Sequence, residues 1–360
     1  MWRYALKKLS EGVAIAFGLV TVVFFLFDVL PGDPARMMLG QREDSAQLEA
    51  LRAKYGFDQP LLFRYTAYLN DLSPVSVYRT DGPRAWSSER QGGVVVVQSA
   101  HRVCVLKRPF LRFSYQQADR SVSSILAAVF PNTALLALCA LLFATLVGMA
   151  LGIVSALYPH TVLDRFLLLF GSVGMSLPSF LSAILVAWIF GFLWHDWTGL
   201  PMSGNLRELD DYGENWLFRP QNLILPAFTL GIRPLGVIAQ LVRGNLLEVM
   251  GRDMVRTAHS KGLSPWRVLW AHSLPNALTP VITAVSGWFA SMLAGAVFVE
   301  TIFGWNGLGK EIVRALELLD LPVVMGAVLL IGIVFIALQL CVDLLFAWLD
   351  PRIRDSLSAS

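Results

Sequence analysis

Residues 121 to 158 contain no charged side chain, and neither do residues 166 to 194. Runs so long and apolar suit a bilayer, whose core a helix crosses in about 20 apolar residues. The pattern recurs along the chain. Stretches at about 12–30, 132–157, 166–194, 221–242, 274–299 and 322–348 predict an all-α integral membrane protein with six transmembrane helices. The composition agrees, with 55% hydrophobic and 15% charged residues, where a soluble domain carries roughly 25% charged. Pro131 predicts a short interfacial helix at 121–129 ahead of the second span, and Pro178 predicts a kink in the third. The first run is too long for a signal peptide, and no small-x-small cleavage site precedes Pro31, so an uncleaved first span is expected. Lipid is therefore a partner. A net charge of +3 is too weak to suggest nucleic acid. Cys104, Cys139 and Cys341 are scattered without metal-site spacing, so no metal site is expected.

Lysines and arginines orient the spans. With the N-terminus inside, the inner segments hold Arg3, Lys7, Lys8, Arg165, Arg243, Arg252, Arg256, Lys261, Arg267, Arg352 and Arg354. The short outer loops hold only Arg207, Arg219, Lys310 and Arg314. Both termini are thus expected in the cytoplasm. The expected layout is a tail and first helix at 1–30, an external loop at 31–120, a core of five helices at 121–350, and a tail at 351–360. Within the external loop, Asp44–Tyr55 reads as a helix with Leu48, Leu51 and Tyr55 on one side and Gly56 as its stop. Val94–Val97 and Arg102–Leu106 read as two strands of a hairpin. Residues 195–220 form an acidic, Trp-containing loop.

The stretch Arg256 to Pro275 is punctuated unlike an ordinary loop. A basic helix ends at Gly262, which can adopt the left-handed conformation. Ser264 then reads as an N-cap with Pro265 at the first helical position. The outcome is two short helices joined by a sharp elbow on the inner side, formed around Lys261, Gly262, Leu263, Ser264 and Pro265.

This stretch resembles the "EAA" loop of permease subunits in ABC importers, E-A-A-x3-G-x9-I-x-L-P. Arg256, Thr257 and Ala258 take the E-A-A positions, Gly262 the glycine, and Leu274-Pro275 the closing pair. Arg256 and Thr257 depart from the strict motif, and His272 replaces the Ile. Other segments are similar to signatures of the dipeptide/oligopeptide (peptide/nickel) permease family, in that family's order. They are Leu30-Pro31-Gly32-Asp33-Pro34, Gly56-Phe57-Asp58-Gln59-Pro60-Leu61, Ser176-Leu177-Pro178-Ser179-Phe180, Val299-Glu300-Thr301-Ile302-Phe303, Gly307-Leu308-Gly309 and Leu349-Asp350-Pro351-Arg352. The resemblance covers roughly 1–72 and 112–355, leaving 75–111 as an insertion in the external loop. It implies a type I ABC importer permease of the bacterial inner membrane. It also implies a second homologous permease, with a heterodimer favoured, two cytoplasmic ATPase subunits that bind ATP and Mg²⁺, and an external substrate-binding protein. In such permeases the elbow docks on the ATPase. By analogy, Phe303, Trp305, Gly307, Leu308 and Gly309 form a segment that turns back at the outer mouth of the pathway.

Two features carry competing readings. Gly304 to Lys310 begins like a P-loop, but Glu311 stands where the Mg²⁺-binding hydroxyl belongs, and no strand precedes it. Arg233 lies near the middle of the fourth span and is followed by Pro234. A charge at that depth is a functional candidate. It can line the pathway and meet a substrate carboxylate, pair with the partner permease, or snorkel to the interface. A stand-alone secondary transporter would carry several ionisable groups near the midplane. An integral membrane enzyme would need catalytic groups there, and spans two, three and five hold none; neither HExxH nor GxSxG occurs.

Overall fold

The computed structural model describes residues 2–28, 35, 45–80, 86–87, 91–117, 119–210 and 212–349. The Leu30–Pro34 signature and the end of the chain with Arg352 and Arg354 lie outside the described residues. Among the described residues, four helices are long and apolar enough to cross a membrane: Ala5–Phe27, Val122–Leu157, Pro220–Met250 and Leu321–Leu344. Two further segments are bent pairs, Val162–Ser176 with Ser179–Leu193 at 109° and Pro265–Ala277 with Thr279–Gly295 at 53°. The expected six is reached only if each bent pair is one span.

In chain order the helices that matter below are α1 (Trp2–Asp28), α2 (Ser45–Tyr55), α3 (Leu61–Leu72), α4 (Val122–Leu157), α5 (Val162–Ser176), α6 (Ser179–Val186) and α7 (His195–Thr198). They continue with α8 (Ile224–Met250), α9 (Asp253–Ser260), α10 (Pro265–Val268), α11 (Leu274–Ala277), α12 (Thr279–Gly295), α13 (Val297–Ile302), α14 (Leu308–Glu317) and α15 (Leu321–Leu349). Two expectations about prolines are corrected. The third span is not one kinked helix: Leu177 is extended (φ −74°, ψ 133°), as a residue before proline prefers, and the chain turns there through 109°. The separate interfacial helix at 121–129 does not form, because α4 runs through Pro131 unbroken. In an apolar surround, leaving the helix would strand more backbone groups than the one hydrogen bond that proline removes.

The chain divides into two compact units. One comprises residues 1–6, 129–311 and 337–360. Its axis is α8, whose Leu235, Ile238 and Val242 pack with Ala144 of α4 and Val281 of α12. The approach on either side of α8 is set by glycine. A Cβ on Gly148 or Gly152 of α4 would stand 2.9 Å from the Leu235 carbonyl or 2.6 Å from that of Ala239. On α5, Gly171 lies against Gly236 of α8, and a Cβ on Gly236 would stand 2.5 Å from the Gly171 carbonyl. Small residues at such crossings let backbones touch, the principal source of helix attraction within a bilayer.

The other unit comprises residues 7–128 and 312–336. Val23 and Phe24 of α1 pack with Tyr68 of α3 and Leu329 of α15. Helix α2 ends at Gly56 (φ +73°), with Leu48, Leu51 and Tyr55 half-buried. The two expected strands form, β2 (Val94–Gln98) and β3 (Arg102–Leu106), paired antiparallel. A strand not foreseen, β1 (Val75–Arg79), pairs with the other side of β3. The Asn70 side chain bonds both the N–H and the C=O of Val77 on β1 (2.9 and 3.1 Å). Tyr78, Val103 and Val105 fill the buried face of the sheet, with Trp86 against them.

The glycine seam generates a test. Gly236→Ala should lower stability by about 1–3 kcal/mol through overpacking. Gly18→Ala, where nothing lies within 4 Å of the added carbon, should not destabilise. Thermal unfolding of the purified protein in detergent compares the two; equal midpoints would refute the seam.

Candidate functional site

The elbow forms as its punctuation predicts. Helix α9 ends with Gly262 at φ +75°. The Leu263 amide reaches back to the Ala258 carbonyl (3.4 Å) and the Gly262 amide to that of His259 (2.9 Å), the paired bonds of a Schellman cap. Ser264 is extended, and its hydroxyl accepts from the Arg267 amide (3.4 Å) ahead of Pro265 at the start of α10. The second limb continues through a π-helical turn, Leu269–Ser273, into α11, which holds Leu274 and Pro275.

Burial divides the motif residues into two sets. Ala258 and Leu274 are buried, and Leu263 is half-buried. Val255, Ala258, Val268, Leu269 and Ala277 form one core with Ala156 at the end of α4 and Leu246 and Val249 of α8. Arg256, Thr257, Lys261, Gly262, Ser264, Pro265 and Pro275 are exposed. Sequence reading misses the aromatic part of this surface: Trp266 and Trp270 stand exposed, edge to face, with ring centroids 5.5 Å apart. Their i, i+4 spacing is the available signal.

An ion pair secures the helix that leads into the elbow. Arg243 of α8 makes a two-pronged contact with Asp164 of α5, each prong 2.7 Å. Ser155 of α4 also donates to that carboxylate, as does the His160 amide (2.9 Å). Asp164 is only 2% exposed. A planar guanidinium facing a carboxylate fixes orientation as well as distance. From the sequence, Arg243 reads only as an inward-facing charge. Thr161, three residues before Asp164, is a capping signal, and its hydroxyl accepts from the Asp164 amide (3.2 Å).

The second candidate segment, 303–310, closes on a buried carboxylate. Glu300 of α13 is fully buried; it accepts from the Thr133 hydroxyl (2.6 Å) and from the amides of Gly309 (2.6 Å) and Lys310 (3.2 Å). Thr133 in turn accepts from the Leu308 amide (2.7 Å). Burial pushes the Glu300 carboxyl above its usual range, against the opposing pull of Thr133, Lys310 and Gly309. A Cβ on Gly307 would fall on this carboxylate, and one on Gly309 on the α13 backbone, so the two glycines are required by close approach. Phe303, Trp305 and Leu308 are buried. Trp305 donates to the Asn132 carbonyl (3.1 Å), Asn132 to that of Asn306 (2.7 Å), and the Asn306 amide to Asn205 (2.6 Å). The amides that a P-loop would offer to phosphate are therefore already bonded within the chain, those of Gly309 and Lys310 to the Glu300 carboxylate and that of Leu308 to Thr133.

Arg233 is exposed on α8, thirteen residues after Pro220 and seventeen before Met250, which places it at mid-span. Among the described residues it has no ion-pair partner. It belongs to neither the elbow nor the Glu300 segment.

The described chain is helical, with four to six candidate spans and a folded, exposed elbow. Residues 148–355 match the family described as the binding-protein-dependent transport system inner membrane component, and residues 1–84 match the N-terminal region of such membrane components. The chain belongs to this family of inner-membrane permease subunits of ABC importers. It is 33% identical to the probable D,D-dipeptide transport system permease protein DdpB of Escherichia coli K12, over 98% of this chain and 97% of that one. It is 32% identical to the dipeptide transport system permease protein DppB of the same strain, over 98% and 99%. A glutathione transport system permease protein, GsiC of Escherichia coli O1:K1 / APEC, is 30% identical over the same shares. A chain of the MetNI methionine ABC transporter in an inward-facing form aligns with a TM-score of 0.49 at 14% identity, over 63% of this chain and 97% of that one.

Glu300 is the residue on which the 303–310 segment turns. Glu300→Ala strands the Thr133 hydroxyl and two amides and should cost about 1–3 kcal/mol per buried group left unpaired. Glu300→Gln keeps the shape and should lose less. The check is thermal unfolding together with protease access to 303–310; an unchanged Glu300→Ala protein would refute the assignment.

Proposed function

We propose that this chain is one of two permeases of an ATP-driven importer of short peptides, and that the elbow couples it to cytoplasmic ATPase subunits. The observation that carries the reading is the elbow's division into a buried root and an exposed crown. Force passes between subunits only through an element that keeps its shape. Val255, Ala258, Val268, Leu269 and Leu274 supply the fixed root. Arg256, Thr257, Lys261, Gly262, Ser264, Pro265, Trp266 and Arg267 supply the exposed crown, and its arginines and tryptophan are residue types enriched at protein interfaces. The excess of inner over outer lysines and arginines supports a cytoplasmic elbow and cytoplasmic termini.

The substrate reading rests on the relatives. D,D-dipeptides, dipeptides and glutathione, which name the three relatives' systems, are all small peptides. In this reading a second, homologous but non-identical permease completes the pathway, two ATPase subunits hold ATP and Mg²⁺, and an external binding protein delivers the peptide. Phe303, Trp305, Gly307, Leu308 and Gly309, tied down by Glu300, form the outer gate segment.

The test is affinity purification of the native chain and of Gly262→Pro from detergent-solubilised membrane. Gly262 stands at φ +75°, and proline holds φ near −65°. The native chain should bring down both ATPase subunits and the partner permease; the variant should keep the permease and lose the ATPases. A variant that retains the ATPases would sink the coupling role of the elbow.

A further inference from the structure

We infer that one face of α8 lines the transport pathway, and that Arg233 on it receives the terminal carboxylate of the peptide. This deepens the peptide-importer reading and rests on it. Helix α8 has two unlike sides. Leu235, Ile238, Val242, Leu246 and Val249 are buried and recur at helical spacing. On the opposite side the spacing aligns Arg233, Gln240 and Gly244, of which Arg233 and Gly244 are exposed and Gln240 is half-buried.

Val237 and Leu247 share this stripe, so the misfit with lipid rests on Arg233. A guanidinium at mid-span cannot give up its charge, and facing hydrocarbon it would be strongly disfavoured. No described carboxylate neutralises it, in contrast to Arg243 ten residues later with its two-pronged tie to Asp164. The polar character extends sideways: Gln240 donates to the Ser172 hydroxyl of α5 (3.4 Å). Pro234 lacks an amide hydrogen, so the carbonyl of Leu230, one turn before it, goes without its helical donor. An unpaired guanidinium at mid-span offers a peptide a partner for its carboxylate. A carboxylate from the partner permease would satisfy the charge equally well, so the experiment must separate the two.

The complete transporter, with its partner permease, ATPases and binding protein, is reconstituted in proteoliposomes carrying Gly244→Cys. Nothing lies within 4 Å of a Cβ at Gly244, so the thiol fits. Membrane-impermeant thiol reagents, one anionic and one cationic, are applied from either side, and the rates are read as the increment over the parent chain with its native cysteines. A pathway face gives modification during ATP turnover, with the anionic reagent favoured. Arg233→Gln should cut the anionic-to-cationic rate ratio by about tenfold, since the fixed positive charge focuses anions in a low-dielectric channel. Arg233→Lys should keep most of the preference. An unreactive thiol at position 244, or a ratio unmoved by Arg233→Gln, overturns the inference; so does loss of the partner permease from the Arg233→Gln complex, the signature of a pair between subunits. Dipeptide uptake by the unmodified transporter tests the substrate reading by itself. Uptake with an unreactive introduced thiol removes only this inference, and no uptake removes the peptide reading.

Discussion

The closeness of α8 to α4 and α5 is the condition on which the unit around it depends. Gly148, Gly152, Gly171 and Gly236 remove the side chains that would hold these backbones apart. Hydrophobic burial gives little attraction between helices in lipid, so contact distance decides how strongly they associate. Once α8 is seated, its register fixes three other things. Arg243 meets Asp164, Leu246 and Val249 reach the elbow core, and Arg233 is left on the far side. A change in the tilt of α8 would be felt at all three positions together.

The two ends of this unit are held by different chemistry. At the elbow the restraint is an apolar core closed by a glycine cap and a serine cap, with the Asp164–Arg243 pair one turn upstream of that core. At the 303–310 segment it is a buried carboxylate that stands in for the missing partners at the start of α14. Carboxylates suit helix N-termini because the first amides have no helical acceptors and the dipole is positive there. An apolar root transmits displacement while tolerating small slides of one helix on another. A hydrogen-bonded cap holds one geometry or breaks.

What can be read from the sequence is local. The elbow is encoded within a dozen residues by Gly262, Ser264 and Pro265, each acting on its own backbone, and the structure reproduces it. The apolar runs and the strands at Val94 and Arg102 are legible for the same reason. The pairs Thr133–Glu300 and Asp164–Arg243 are not, because they are 167 and 79 residues apart and no local rule joins them. Strand β1 escapes notice because its alternation runs against the usual rule: Val75 and Val77 face out while Ser76 and Tyr78 are buried. In the third span Pro178 announces where the chain bends, but proline does not give the angle, which is 109°. The glycines of the α8 seam are visible as glycines; only the partner helix shows why they are there.

The side chain of Asn70 has a consequence for how this protein keeps to itself. Among the described residues, the sheet order β1-β3-β2 leaves the outer edges of β1 and β2 without a further strand. At one edge, Asn70 imitates a neighbouring strand by meeting both polar groups of Val77. At the other, β2 slips register between Val95 and Val97, which spoils the even spacing a new strand would need. The sheet displays Val75, Val77, Val94, Val96 and Leu106 outward. It can thus be greasy without being a template for fibre growth, and whatever meets those valines must do so face on, through side chains, and not by joining the ladder.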